Sequence, residues 1–220
     1  MSNAKEHRLE ELEVWGQQEA REALLCIMHT ILFCRAPGPF RPQTVYANRF
    51  NLAYSRVGCA SVMRSVERAV DSVFTSLAPA GPDLLKGYIV LSFFERRHSK
   101  SLFGLVSNEE KIIWEQWIAP ILLSTRFHYH GTGQILNKED DDHAQRIEAE
   151  RSRQATNNQL RNIILQVHAL VNGPLDHVPT SMYEFNITCR SKTKNLLSES
   201  HDAGYARVIL NPPLHSLSSL

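Results

Sequence analysis

The 220-residue sequence has no surplus of either charge: 24 lysines and arginines stand against 23 aspartates and glutamates. That balance gives no support for a nucleic-acid or membrane-surface partner, which would favour a basic excess. It has only four cysteines, at 26, 34, 59 and 189, and no two of them make a Cys-x-x-Cys pair. They read as free, mostly buried thiols of a reducing compartment. No uncharged apolar run approaches the roughly 18 residues that suggest a membrane span. Residues 1–13 are polar and charged, so no secretory apolar segment opens the chain. The expectation is a soluble, cytoplasmic protein. Asn186-Ile187-Thr188 fits the glycosylation pattern, but with no such leader the match reads as chance.

The usual signatures of catalysis are missing as well. There is no Gly-x-Ser-x-Gly elbow, no His-Glu-x-x-His pair and no calcium-loop pattern. Gly131-Thr132-Gly133 lacks the Gly-Lys-Ser/Thr ending of a phosphate cradle and reads as a turn. His29 lies one helical turn from Cys26 but sits in an apolar run. A buried histidine satisfied by a backbone group is expected there, not a base. His128, His130 and His143 flank an acidic loop containing Asp140, Asp141 and Asp142. A strand would put His128 and His130 on one face, as a pair of nitrogen ligands requires, yet no full ligand set accompanies them. A small metal-dependent hydrolase built on these three histidines is one alternative. The main reading assigns no catalytic, cofactor-binding or metal residue.

What the sequence does have is a core. Apolar residues make up 43% of it, enough for an ordinary folded domain. Leu12 and Val14 share one face of a short strand. A helix over 18–34 carries a wide stripe of Leu24, Leu25, Ile27, Met28, Ile31 and Leu32, and Pro37, Gly38, Pro39 and Pro42 stop it. Phe50, Leu52 and Tyr54 alternate with polar neighbours as a strand does. A second helix follows, with Val62, Val66, Val70, Val73 and Leu77 on one side and Ser61 as candidate N-cap. Ala78-Pro79-Ala80-Gly81-Pro82 closes it. From Leu160, the residues Ile163, Ile164, Val167, Leu170 and Val171 mark a third helix, ended by Asn172-Gly173-Pro174. Its charged first half, 144–158, is either a solvated extension or partly disordered. Tyr183, Phe185 and Ile187 alternate as a strand, and residues 205–210 form a short closing helix or a last strand. Residues 1–8 and 211–220 are expected as flexible ends, and 131–145 and 191–203 as loops. With no internal repeat, the chain reads as one α+β domain: a mostly antiparallel sheet backed by about three helices.

The centre of that sheet lies between Gly87 and Leu123, where two segments rich in β-branched and aromatic residues flank Arg96-Arg97-His98-Ser99-Lys100-Ser101-Leu102-Phe103-Gly104-Leu105. The insert is longer than a tight turn needs, and such inserts are often functional. Its apolar residues either fold back onto the core or present a tip. Exposed apolar tips usually mark a partner site.

Four stretches together carry a family resemblance. They are Ala23-Leu24-Leu25-Cys26-Ile27-Met28-His29-Thr30-Ile31-Leu32-Phe33-Cys34-Arg35, Ser92-Phe93-Phe94-Glu95, Trp114-Glu115-Gln116-Trp117, and Asp176-His177-Val178-Pro179 with Phe185-Asn186-Ile187-Thr188. In this order, over residues 12–210, the sequence resembles the autophagy-related protein 101 family, its plant and algal members above all. The resemblance implies a HORMA-like fold without catalytic activity or cofactor. It implies an accessory subunit of the autophagy-initiation kinase complex, paired with the HORMA domain of autophagy-related protein 13 and recruited to phagophore assembly sites. The family carries a Trp-Phe finger that recruits downstream factors. Leu102 and Phe103 occupy the matching positions, so the tryptophan is replaced here. A HORMA adaptor that traps peptides in another pathway is the rival within the same fold.

Overall fold

The computed structural model describes residues 4–38, 40–100, 107–125, 138–191 and 208–209. The architecture is α+β, a mixed and mostly antiparallel sheet with three helices on one face. The two segments at its centre form long strands, β6 (Leu84–Lys100) and β7 (Ser107–Ser124), paired antiparallel from Leu84↔Ser124 to Lys100↔Ser107. Two short strands, β1 (Lys5–Arg8) and β2 (Leu12–Trp15), run parallel to β7 on its outer side. On the other side β8 (Glu184–Arg190) pairs antiparallel with β6, and β9 (Val208–Ile209) pairs with β8. The strand β5 (Ala78–Gly81) folds back antiparallel onto β6.

Alternation decides which side chains meet the helices. Ile89, Leu91 and Phe93 of β6 and Phe185 of β8 enter the core, where α1 (Gln17–Cys34), α2 (Ala60–Ser76) and α3 (Lys138–Val171) cover them. The wide stripe of α1 is buried from Leu24 to Leu32, as its breadth predicts, with Leu25 only partly so. On α2 the four valines at 62, 66, 70 and 73 are buried along one side. On α3 the buried line is Thr156, Leu160, Ile163 and Val167, so only its C-terminal half packs fully. A separate hairpin of β3 (Pro42–Ala47) and β4 (Leu52–Val57), linked by a 3-10 turn at Asn48–Phe50, seats Ala47 and Phe50 in the same core.

Several segments differ from the sequence reading. Residues 5–8, expected to be flexible, form β1, because β7 offers them the edge that faces away from β6. Helix α3 begins at Lys138, inside the span read as a loop, and runs unbroken through the charged stretch 144–158. Propensity rather than an apolar stripe carries that half: it is rich in Glu, Arg, Gln and Ala. The breaker Pro42 opens strand β3, a position that needs no N–H from it. Phe50 belongs to the 3-10 turn and the strand starts at Leu52. The residue capping α2 is Cys59, with no side-chain cap bond, and Ser61 lies within the helix. The closing segment at Ala78–Gly81 is a strand, and of the two options for 205–210 the structure takes the strand at Val208–Ile209.

The sheet departs from plain pairing at one place that matters below. Phe93 faces Glu115 while Phe94 faces Ile113, so Trp114 is the extra residue of a β-bulge. A bulge re-aims side chains and is a designed feature rather than a defect. Here it lets Trp114 and Glu115, neighbours in sequence, both reach His177.

Candidate functional site

Glu115 stands in the middle of the sheet and is fully buried. A lone carboxylate there would be costly, so its partners explain its presence. Arg35, the residue that ends α1, donates from Nε to Oε1 at 2.9 Å and from Nη2 to Oε2 at 3.0 Å. The third nitrogen of Arg35, Nη1, donates to the Val171 carbonyl at the end of α3, at 3.4 Å. His177, on the connection between α3 and β8, has Nε2 2.6 Å from Oε2 of Glu115. The Trp117 indole N–H donates to Oε1. His7 of β1 brings Nε2 to 3.7 Å from Oε2, beyond hydrogen-bond length.

Burial alone would raise the Glu115 pKa. The His7 imidazole, Arg35, His177 and Trp117 outweigh it and hold the carboxyl well below the usual carboxylate range. Aromatic rings wall the cluster. The His7 ring lies 4.3 Å from that of Trp117, and Trp114 lies 4.9 Å from Tyr183 and 5.4 Å from Phe93. The Tyr183 hydroxyl donates to the Arg35 carbonyl. The arrangement therefore ties together the end of α1, strands β1 and β7, and the connection leading into β8. Its charges are spent on one another inside the core.

This cluster is where the resembling stretches converge: Arg35 ends the first, Glu115 lies in Trp-Glu-Gln-Trp, and His177 lies in Asp-His-Val-Pro. Sequence reasoning named all three residues without assigning them a task, and it missed His7 altogether. The available signal was a charged residue at the end of an apolar helix and another between two tryptophans, positions where an unpaired charge would not be tolerated.

The finger residues Leu102 and Phe103 lie outside the described residues, as do His128 and His130; His143 falls within α3, its side chain not described. The strands carrying the finger are described, and they shorten it. Residues 96–100, read as part of the insert, continue β6 to Lys100↔Ser107, which leaves only 101–106 between the strands. Arg96, expected as a basic base of the finger, binds Glu184 of β8 at 2.7 Å, and Lys111 sits 4.8 Å from the centre of the buried Phe94 ring. The strand ends on either side of residues 101–106 are thus rooted in the sheet. Cys26 and His29 do not form a reactive pair. Burial pushes the Cys26 thiol up to about 12 and lowers His29 to about 4, so neither ionises near neutrality. His29 also differs from expectation: its Nδ1 finds no hydrogen-bond partner, and its ring stacks 6.2 Å from Tyr54.

The fold is that of an α+β protein with helices on one face of a sheet, and the site is a buried ionic rivet beneath a long two-stranded ladder. The sequence model of one family, Autophagy-related protein 101, matches residues 12–184. The chain belongs to that family. Autophagy-related protein 101 of Arabidopsis thaliana is 29% identical over 226 residues, spanning 97% of this chain and 96% of the plant protein. The Xenopus laevis relative is 28% identical over 49% of this chain and 52% of its own length, and the Homo sapiens relative 27% identical over 50% and 54%. No described helix is long and apolar enough to cross a membrane.

Proposed function

We propose that this protein is a non-catalytic adaptor of autophagy initiation. In this reading it is a HORMA-fold subunit that pairs with the HORMA domain of autophagy-related protein 13, stabilises it within the initiating kinase complex, and recruits downstream factors to phagophore assembly sites in the cytoplasm. The observation that carries the reading is the family match, which runs from β2 to the first residue of β8. The geometry is consistent with it. The strongest polar centre is consumed in holding elements together, while the longest paired strands reach out to a short apolar segment containing Leu102 and Phe103.

Affinity purification of the tagged chain from cells tests it. Recovery of autophagy-related protein 13 and the kinase, with depletion of the chain lowering the level of that partner, is the expected result. A bait that recovers linear peptides and no HORMA partner would instead favour the peptide-trapping rival.

A further inference from the structure

We propose that His7, Glu115 and His177 form a binding site for a divalent transition metal ion of the zinc class. Two imidazoles and one carboxylate are a donor set typical of zinc. Their ligand atoms, drawn from β1, β7 and the connection before β8, all lie within 4.8 Å of one another. Atoms bound tetrahedrally to zinc stand roughly 3.4 Å apart, given metal–ligand bonds of about 2.1 Å. The present spacings from Glu115 Oε2, 2.6 Å to His177 and 3.7 Å to His7, bracket that value.

A second, independent observation points into the same space. His7 is 5% exposed, and its Nε2 is buried with no hydrogen-bond partner. Buried polar atoms are nearly always satisfied, and an exception calls for an explanation such as an ion. The ring cannot easily turn away, because it packs on Trp117. The surrounding groups suit an outer shell. Arg35 Nε and the Trp117 indole both hold Oε1, which orients the carboxylate; Oε2, on the side of the histidines, also accepts from Arg35 Nη2 at 3.0 Å, a bond that an ion at Oε2 would have to displace.

Arg35 also limits the affinity. Its guanidinium offsets the carboxylate, so a dication would enter a site with no net negative charge to receive it. The site therefore binds exchangeably, unlike a structural zinc centre. Because the three ligands are far apart in sequence, an ion there would fasten β1 and the α3–β8 connection to the centre of the sheet. This proposal stands apart from the adaptor reading.

The test is zinc titration of the purified full chain by calorimetry, with His7→Gln and His177→Gln compared. Amide exchange of residues 5–8 is followed in parallel, and cobalt is added as a visible-absorption probe. The expected result is one ion per chain, a weakening of at least about tenfold in each variant, slower exchange at residues 5–8 with zinc, and a cobalt spectrum of nitrogen–oxygen ligation. His177 is the less buried ligand, so His177→Gln carries the test if His7→Gln fails to fold. Absence of binding to the wild-type chain at about 100 μM zinc, a level that at least half-fills any site with Kd of about 100 μM or tighter, overturns the proposal. So does equal binding by folded His177→Gln, which would place the ion elsewhere, for instance on the histidines near 128–143.

Discussion

Arg35 and Glu115, eighty residues apart in sequence, meet as a two-pronged ion pair with both side chains almost wholly inside the protein. One closes the first helix and the other stands beside the β-bulge at Trp114, so the contact fixes where α1 ends over the sheet. Ion pairs on a surface contribute little, but a buried one is different: neither partner can be removed without stranding the other.

Arg35→Ala should accordingly destabilise the protein by about 3–5 kcal/mol, the usual cost of leaving one member of a buried pair uncompensated. Glu115→Ala should cost a similar amount, and the double variant less than the sum, since the two share one interaction. Urea unfolding followed by circular dichroism gives the cycle. Strictly additive losses would mean that the pair contributes only through packing.

Acid should act on this fold in two separable windows. His29 is lowered from 6.5 to about 4 by burial, with Arg56 adding to it. The unfolded chain therefore binds a proton at that residue before the folded one does, and stability falls as pH drops from about 6.5 to about 4, by up to about 1.4 kcal/mol per pH unit. Glu115 is also lowered, from 4.5. Its contribution is complete above that value and is lost only as pH falls below it. His29→Gln should flatten the wild-type profile between pH 6.5 and 5 and leave the steeper loss below 4.5. Melting temperatures across that range give the comparison, and parallel wild-type and variant profiles would contradict it.

How far the sequence discloses this molecule depends on whether the signal is local. The valine line of α2 and the two central strands are legible because burial on one face leaves a period in the chain. Strand β1 is not, because Lys5-Glu6-His7-Arg8 has no apolar period and owes its form to the free edge of β7. The N-terminal half of α3 hides for the same reason, since it covers little core. The ionic cluster is half legible. Glu115 and Arg35 stand out against apolar neighbours, but nothing in the sequence brings residues 7, 35, 115 and 177 to one point. Only the topology does that: a parallel edge strand and a helix end over a bulge.

Gly87 offers a test of packing away from the cluster. It lies on β6 where β5, β7 and β8 all come near, and a Cβ placed there would stand 2.7 Å from Leu77 Cδ2 and 3.1 Å from the Arg190 carbonyl oxygen. The leucine tip can move, but the backbone oxygen belongs to the β6–β8 ladder. Gly87→Val should cost roughly 1–3 kcal/mol, in the range of overpacked cores. Gly81→Ala, whose Cβ would meet only Leu84 at 3.5 Å, should cost far less. Thermal unfolding of the two variants side by side decides it, and equal losses would count against a backbone clash.

The finger can be tested without disturbing any of this. Leu102 and Phe103 fall between the last pair of the β6–β7 ladder, Lys100↔Ser107, far along the strands from the bulge and its ion pair. If they act as a recruiting tip, Leu102→Ala/Phe103→Ala should leave the melting temperature within about 2 °C of wild type, less than a loss of 1 kcal/mol would produce. Capture of downstream factors should fall while autophagy-related protein 13 still co-purifies. The reverse change is the sharper one. Tryptophan is the stronger interface anchor, and a well-placed one contributes on the order of 2 kcal/mol or more. Leu102→Trp should therefore raise downstream capture above wild type by roughly tenfold or more. A double alanine variant that unfolds would assign these side chains to the core. A tryptophan variant that captures no more than wild type would show that residue 102 does not reach the partner.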